Sequence, residues 1–70
     1  MNQTTDTALA FLAEHGPRLH AILLRLTLRA DVAEDLMQDL FCKLAENQRF
    51  ATAASPVAYA TRMATNLAFD

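Results

Sequence analysis

"DVAEDLMQDLFCKLAE", residues 31–46, is the stretch whose reading decides the fold. Projected at 3.6 residues per turn, Ala33, Leu36, Met37, Leu40, Phe41 and Leu44 fall on one side, and Asp35, Gln38, Asp39, Cys42 and Glu46 on the other. This is an amphipathic helix with one face made for a core. Asp31 is placed to cap it by accepting from first-turn amides, with Glu34 three residues on as the capping-box partner. The polar side is acidic. Asp35 and Asp39 stand four apart, where like charges cost about 0.2–0.5 kcal/mol, offset in part if Lys43 pairs with Asp39. Solvation and the helix dipole account for Glu34 and partly for Asp35, but they leave Asp39 unexplained.

Upstream, a first helix is expected to start near Thr5 or Asp6, either of which could cap it, and to run through "TALAFLAEH". Gly16-Pro17 should then kink or break it, because proline has no amide proton and its ring crowds the preceding turn. The helix resumes through "RLHAILLRLTLR", where Leu19, Ile22, Leu23 and Leu26 share a core face while Leu24 and Leu28 point elsewhere. An apolar stripe on two sides marks this helix as central to a bundle. Downstream, "ENQRFATAASP" breaks the period, and Ser55-Pro56 is a start signal, a capping hydroxyl followed by proline at the first helical position. The last helix has Val57, Ala60, Met63, Ala64 and Leu67 on its core side and Tyr59, Arg62, Asn66 and Phe69 on the other. No stretch alternates at period two. The fold expected is all-α, a small bundle of three helices, or four if the Gly16-Pro17 kink counts as a break.

Seventy residues allow one small domain, 1–70. The chain is 53% apolar with one Gly and two Pro, which excludes a disordered or loop-rich disulfide scaffold. Cys42 has no second cysteine to bridge to, and no long apolar run reads as a leader or a membrane span, so a cytoplasmic setting is expected. Net charge is −2, and the acids are concentrated early: seven against four bases in residues 1–46 (Asp6, Glu14, Asp31, Glu34, Asp35, Asp39 and Glu46 against Arg18, Arg25, Arg29 and Lys43).

Catalysis finds no footing. His15 and His20 are five apart across the Gly-Pro break and do not share a face, there is no glycine-rich phosphate loop, and Ser55 reads as a cap. Cys42 lies among acids that disfavour a thiolate. No cofactor and no metal site is expected. The face of Tyr59, Arg62, Asn66 and Phe69 carries more information. Rings that stack, a guanidinium for phosphates and an amide for base edges are what a single-stranded nucleic-acid site uses. Packing against the rest of the bundle would equally explain the two aromatics. Phe50, in the preceding loop, could anchor that loop to the core or wall a pocket beside the helix.

Taken in order, "DVAEDLMQDLFCKLAENQRF" and "SPVAYATRMATNLAFD", with "HGPRLHAILLRLTLRADVAEDL" upstream, resemble region 2 of bacterial RNA polymerase sigma factors of the extracytoplasmic-function type, over roughly residues 8–70. The most specific parts are "AEDLMQDLF" and the ending Arg62, Ala64, Asn66, Leu67, Ala68 and Asp70. The resemblance implies a sigma factor domain that binds core RNA polymerase and recognises and melts the promoter −10 element. It implies that Asp35, Gln38, Asp39 and Cys42 dock on the coiled coil of the clamp subunit. It places Phe50, Tyr59, Arg62 and Asn66 at the non-template single strand, one of whose bases is flipped into a pocket between loop and helix. An anti-sigma factor is a further candidate partner. The family often has Trp where this chain has Tyr59, another aromatic at Thr61, and a basic stretch after the position of Asp70. The chain reads as one region of a longer factor, without region 4. Two other readings compete. One is a helical protein-interaction module, dimeric through Leu24, Leu28 and the aromatic face. The other is a duplex-binding helix-turn-helix domain, disfavoured by the acidic outer face of residues 32–46.

Overall fold

A computed structural model describes residues 3–69 and contains four helices: α1 (Gln3–Thr27), α2 (Ala30–Glu46), α3 (Gln48–Ala51) and α4 (Pro56–Phe69). Asp70, the last residue of the family-like ending, lies outside the described residues. No strand occurs among the described residues, and the all-α bundle is as expected. α1 packs against all three other helices, most extensively against α2. The core between them is Ala8, Leu19 and Leu23 from α1, Ala33, Leu40 and Leu44 from α2, Phe50 from α3, and Ala60 and Ala64 from α4. The radius of gyration, 11.3 Å, is what about 11 Å for a compact chain of this length requires, so no helix projects away from the bundle.

The α2 period holds residue by residue. Ala33, Leu40 and Leu44 are fully buried, Leu36, Met37 and Phe41 pack against them, and Asp35, Gln38, Asp39, Cys42 and Glu46 are exposed. Its start differs. α2 begins at Ala30 with Arg29 as the N-cap residue, without a side-chain cap bond, and Asp31 sits inside the first turn, where its carboxylate meets the Arg29 guanidinium at 3.0 Å. The two-residue turn from α1 leaves no room for Asp31 to stand outside the helix.

That turn is set by Leu28, the one non-glycine residue with positive φ (59°) among the described residues. Its amide still donates to the Leu24 carbonyl at 2.8 Å, and the Thr27 hydroxyl accepts the Arg29 amide at 3.3 Å. Leu28 is thus in the left-handed position that usually closes a helix with glycine, its side chain 83% exposed.

α1 departs from expectation at its start and along its outer leucines. It begins at Gln3, so Thr5 and Asp6 lie within its first turn rather than ahead of it. Of the kink and the break expected at Gly16-Pro17, the break is not realised: one helix of 25 residues runs through Pro17. Proline in a helix interior costs about 3 kcal/mol or more. Both halves are anchored, by Ala8 and Leu12 before the proline and by Leu19 and Leu23 after it, and burying each leucine contributes about 1.5–3 kcal/mol. Pro17 itself faces solvent. Finally, Leu26 is 40% exposed rather than core, and Leu24 and Leu28 are not sandwiched by a neighbour.

α4 starts as read, with Pro56 at the first position and the Ser55 hydroxyl accepting from the Ala58 amide at 3.4 Å.

Leu28→Gly removes the strain of a β-carbon at positive φ while giving up little buried surface. It should raise stability by about 0.5–1 kcal/mol after the greater freedom of glycine in the unfolded chain is counted. In a domain this size that is a rise of several degrees in Tm, read by thermal circular dichroism.

Candidate nucleic-acid interface and docking face

The link between α2 and α4 is short and polar, yet it is held in place. Asn47 caps α3, its Oδ1 accepting the Arg49 amide at 2.9 Å, and the Thr52 amide returns to the Gln48 carbonyl at 3.2 Å. One turn of helix cannot stand alone in water. Phe50 fixes it: the side chain is 1% exposed, edge-on to Phe11 with ring centroids 5.0 Å apart, and 6.2 Å from the Tyr59 ring. Of its two sequence-level readings, the anchor is the one realised. Phe50 supports Tyr59 from beneath and presents no face to solvent.

Tyr59, Arg62 and Asn66 converge. They line one open cleft of about 480 Å³ together with Ala53, Ser55, Ala58 and Met63. Helical spacing brings the three together on α4, while the Ala53–Ser55 link supplies the facing wall. Arg62 and Asn66 are exposed, and Tyr59 is half-buried against the core. Phe69, on the same sequence face, is 72% exposed and does not line the cleft. A flat ring, a guanidinium and a carboxamide around one open cleft can stack a base, meet a phosphate and read a base edge.

Sequence reasoning missed Asn47. Its Nδ2 donates to the Tyr59 hydroxyl, a bond across twelve residues that ties the end of α2 to α4. An Asn just past a helix signals only a cap, and nothing in its spacing could have announced a tyrosine partner. Met63, read as core, borders this cleft and also an adjoining one lined by Lys43, Glu46, Asn47, Gln48 and Arg49.

Asp35, Gln38, Asp39 and Cys42 form the exposed ridge of α2. A groove flanks it on either side: Asp35 and Gln38 line one with Gly16, Pro17 and His20 of α1, and Asp39 and Cys42 line another with Leu67 of α4. Arg29–Asp31 at 3.0 Å is the ion pair between permanently charged side chains among the described residues, and the Glu14 carboxylate lies 3.8 Å from the His15 ring nitrogen. Asp35 and Asp39 therefore carry uncompensated charge, and the Lys43 offset expected from spacing is not made. Among the described residues no group of three or more His, Cys, Asp or Glu could hold a metal ion, and no helix is long and apolar enough to cross a membrane.

The model of the sigma-70 region 2 family matches residues 11–70, and the chain belongs to that family. Region 2 gives a sigma factor its binding to core RNA polymerase and its recognition of the promoter −10 element, and it is not an enzyme family. No curated protein and no solved structure matches the chain.

Phe50→Ala should cost about 3–5 kcal/mol, enough to unfold much of a domain this small, whereas Phe50→Leu keeps most of the buried volume and should remain folded. Urea titration of both variants distinguishes a core anchor from a surface contact: a parent-like midpoint for the alanine variant would remove Phe50 from the core.

Proposed function

We propose that this chain is a region 2 domain of the extracytoplasmic-function type, acting in the cytoplasm as part of a longer sigma factor. The α2 ridge docks on a basic coiled coil of the polymerase clamp, and the α4 cleft holds the non-template strand of the melted −10 element. The observation that carries this reading is the convergence of Tyr59, Arg62 and Asn66 on a single open cleft in a chain of this family.

Each side chain then has a task. Tyr59 offers a ring face at the edge of the core, Arg62 meets phosphate oxygens, and Asn66 donates to and accepts from one base edge. A base enters such a cleft only after leaving the duplex stack, which suits a strand already melted. On α2, Asp35 and Asp39 repel each other in the free domain and become two attractive contacts when a basic partner lies along the ridge. Gln38 and Cys42 lie between and beyond them as contact surface. With a groove on each side of the ridge, a two-helix partner has somewhere to seat on both flanks. An anti-sigma factor would have to cover one of these two surfaces to silence the domain.

Reversing charge at both carboxylates, Asp35→Lys with Asp39→Lys, should weaken binding to core RNA polymerase by at least tenfold in a pull-down titration, with an unchanged circular dichroism spectrum. Undiminished binding would remove the docking role of the ridge. Asn66→Ala should lower discrimination between a −10 single strand and a scrambled strand by about tenfold, the order of one or two base-edge hydrogen bonds. Equal discrimination by parent and variant would take Asn66 out of the reading site.

A further inference from the structure

The carboxamide of Asn47 makes two bonds, and together they fix which way round it lies. A backbone N–H can only donate, so the side chain turns its oxygen toward the Arg49 amide at 2.9 Å and its NH2 toward the Tyr59 hydroxyl. Tyr59 is consequently the acceptor in this bond. Its phenolic proton stays uncommitted, because no acceptor among the described residues takes it. Tyr59 is half-buried and lines the strand cleft, with its ring held over Phe50.

We infer that Asn47 and Tyr59 form a hydrogen-bond relay that biases the Tyr59 hydroxyl toward donating, making it a specificity-determining donor for an acceptor oxygen of the bound strand. A free phenol can donate or accept and discriminates poorly between base edges. One whose oxygen already accepts from an amide is the better donor and the poorer acceptor, so it favours a base carbonyl or a phosphodiester oxygen over an exocyclic amine. Asn47 acts through Tyr59 and is a positioning residue. It also caps α3, so one side chain sets the loop and the polarity of the cleft. The relay rests on the single-strand reading proposed above.

Two substitutions separate polarity from position. Tyr59→Phe deletes the hydroxyl and keeps the ring. Asn47→Asp keeps the oxygen that caps α3, but its second oxygen can only accept, so Tyr59 turns its O–H inward and donates a hydrogen bond to the carboxylate instead of to the strand. The bond survives with its direction reversed. The added negative charge is controlled by placing the same substitution in the Y59F background, where no phenol is present to reorient.

The measurement is fluorescence anisotropy of the full chain with labelled single-stranded and duplex oligodeoxynucleotides, after circular dichroism has shown all variants folded. Y59F should bind the strand about fivefold more weakly, the size of one neutral hydrogen bond. N47D should be weakened about fivefold more in the parent background than in Y59F. Loss confined to the preferred sequence identifies a base carbonyl as the acceptor, and equal loss on every sequence identifies a phosphodiester. Additive effects, or parent-like binding by Y59F, would overturn the relay while leaving the strand site standing, provided the parent prefers single strand. A parent without that preference overturns both.

Discussion

Phe50 is the contact on which the functional part of this bundle depends. Three of its four helices would recognise one another by ordinary apolar faces, but α3 is a single turn with no face of its own. What locates it is one ring, buried between Phe11 of α1 and Tyr59 of α4. Offset and edge-on aromatic contacts of this kind add about 0.5–1.5 kcal/mol beyond area burial and, more to the point, they fix angles. With the ring seated, Asn47 is brought within hydrogen-bonding reach of Tyr59, and the Ala53–Ser55 link becomes the wall of a cleft. Without it, α4 would still be a helix with a tyrosine, an arginine and an asparagine on its surface, facing nothing.

Much of this was legible in the sequence where residues act by period. The two faces of α2, the start of α4 at Ser55-Pro56, and the grouping of Tyr59, Arg62 and Asn66 all follow from 3.6 residues per turn and a cap. Features that depend on energy balance between distant parts were not. Pro17 carries a local penalty that spacing can see, whereas the anchoring of both flanks of α1 that outweighs it depends on where α2 lies. Asp31 is a good cap by residue type, but the turn at Leu28 is too tight to leave it outside the helix. Phe50 is a lone apolar residue in a polar stretch, and one residue has no period, so core and pocket were equally open until the fold chose. Asn47 was invisible for the same reason, since its partner is twelve residues away.

The charge pattern also gains meaning from the fold. At net −2 the chain has no field that would draw a nucleic acid in from a distance. The fold sorts the charge instead. Asp35 and Asp39 stand on the α2 ridge, while Lys43, Arg49 and Arg62 line the two clefts that share Met63. None of these five side chains is ion-paired among the described residues, so each retains its charge for a partner. The sorting is partial: Glu46 lines the cleft with Lys43 and Arg49, and Lys43 also lines the ridge groove with Asp39 and Cys42.

That arrangement constrains how a strand could be held. Screening at physiological ionic strength leaves charges effective over about 8 Å, so three cations near the clefts act locally, and one of them, Lys43, also borders the groove that Asp39 lines. Electrostatic attraction is therefore a small term for this domain, in contrast to the basic surfaces that bind duplexes through many phosphate contacts. In the function proposed for it, affinity must come from stacking on Tyr59 and from hydrogen bonds of defined direction at Tyr59 and Asn66, terms that distinguish one base from another. A domain with weak general attraction and directional contacts gains selectivity at the expense of affinity, and it needs a partner to bring the strand within reach. In that same proposal the acidic ridge on the neighbouring helix would engage a basic partner, and the two surfaces would be parts of one mechanism: one to obtain proximity to melted DNA, the other to read it.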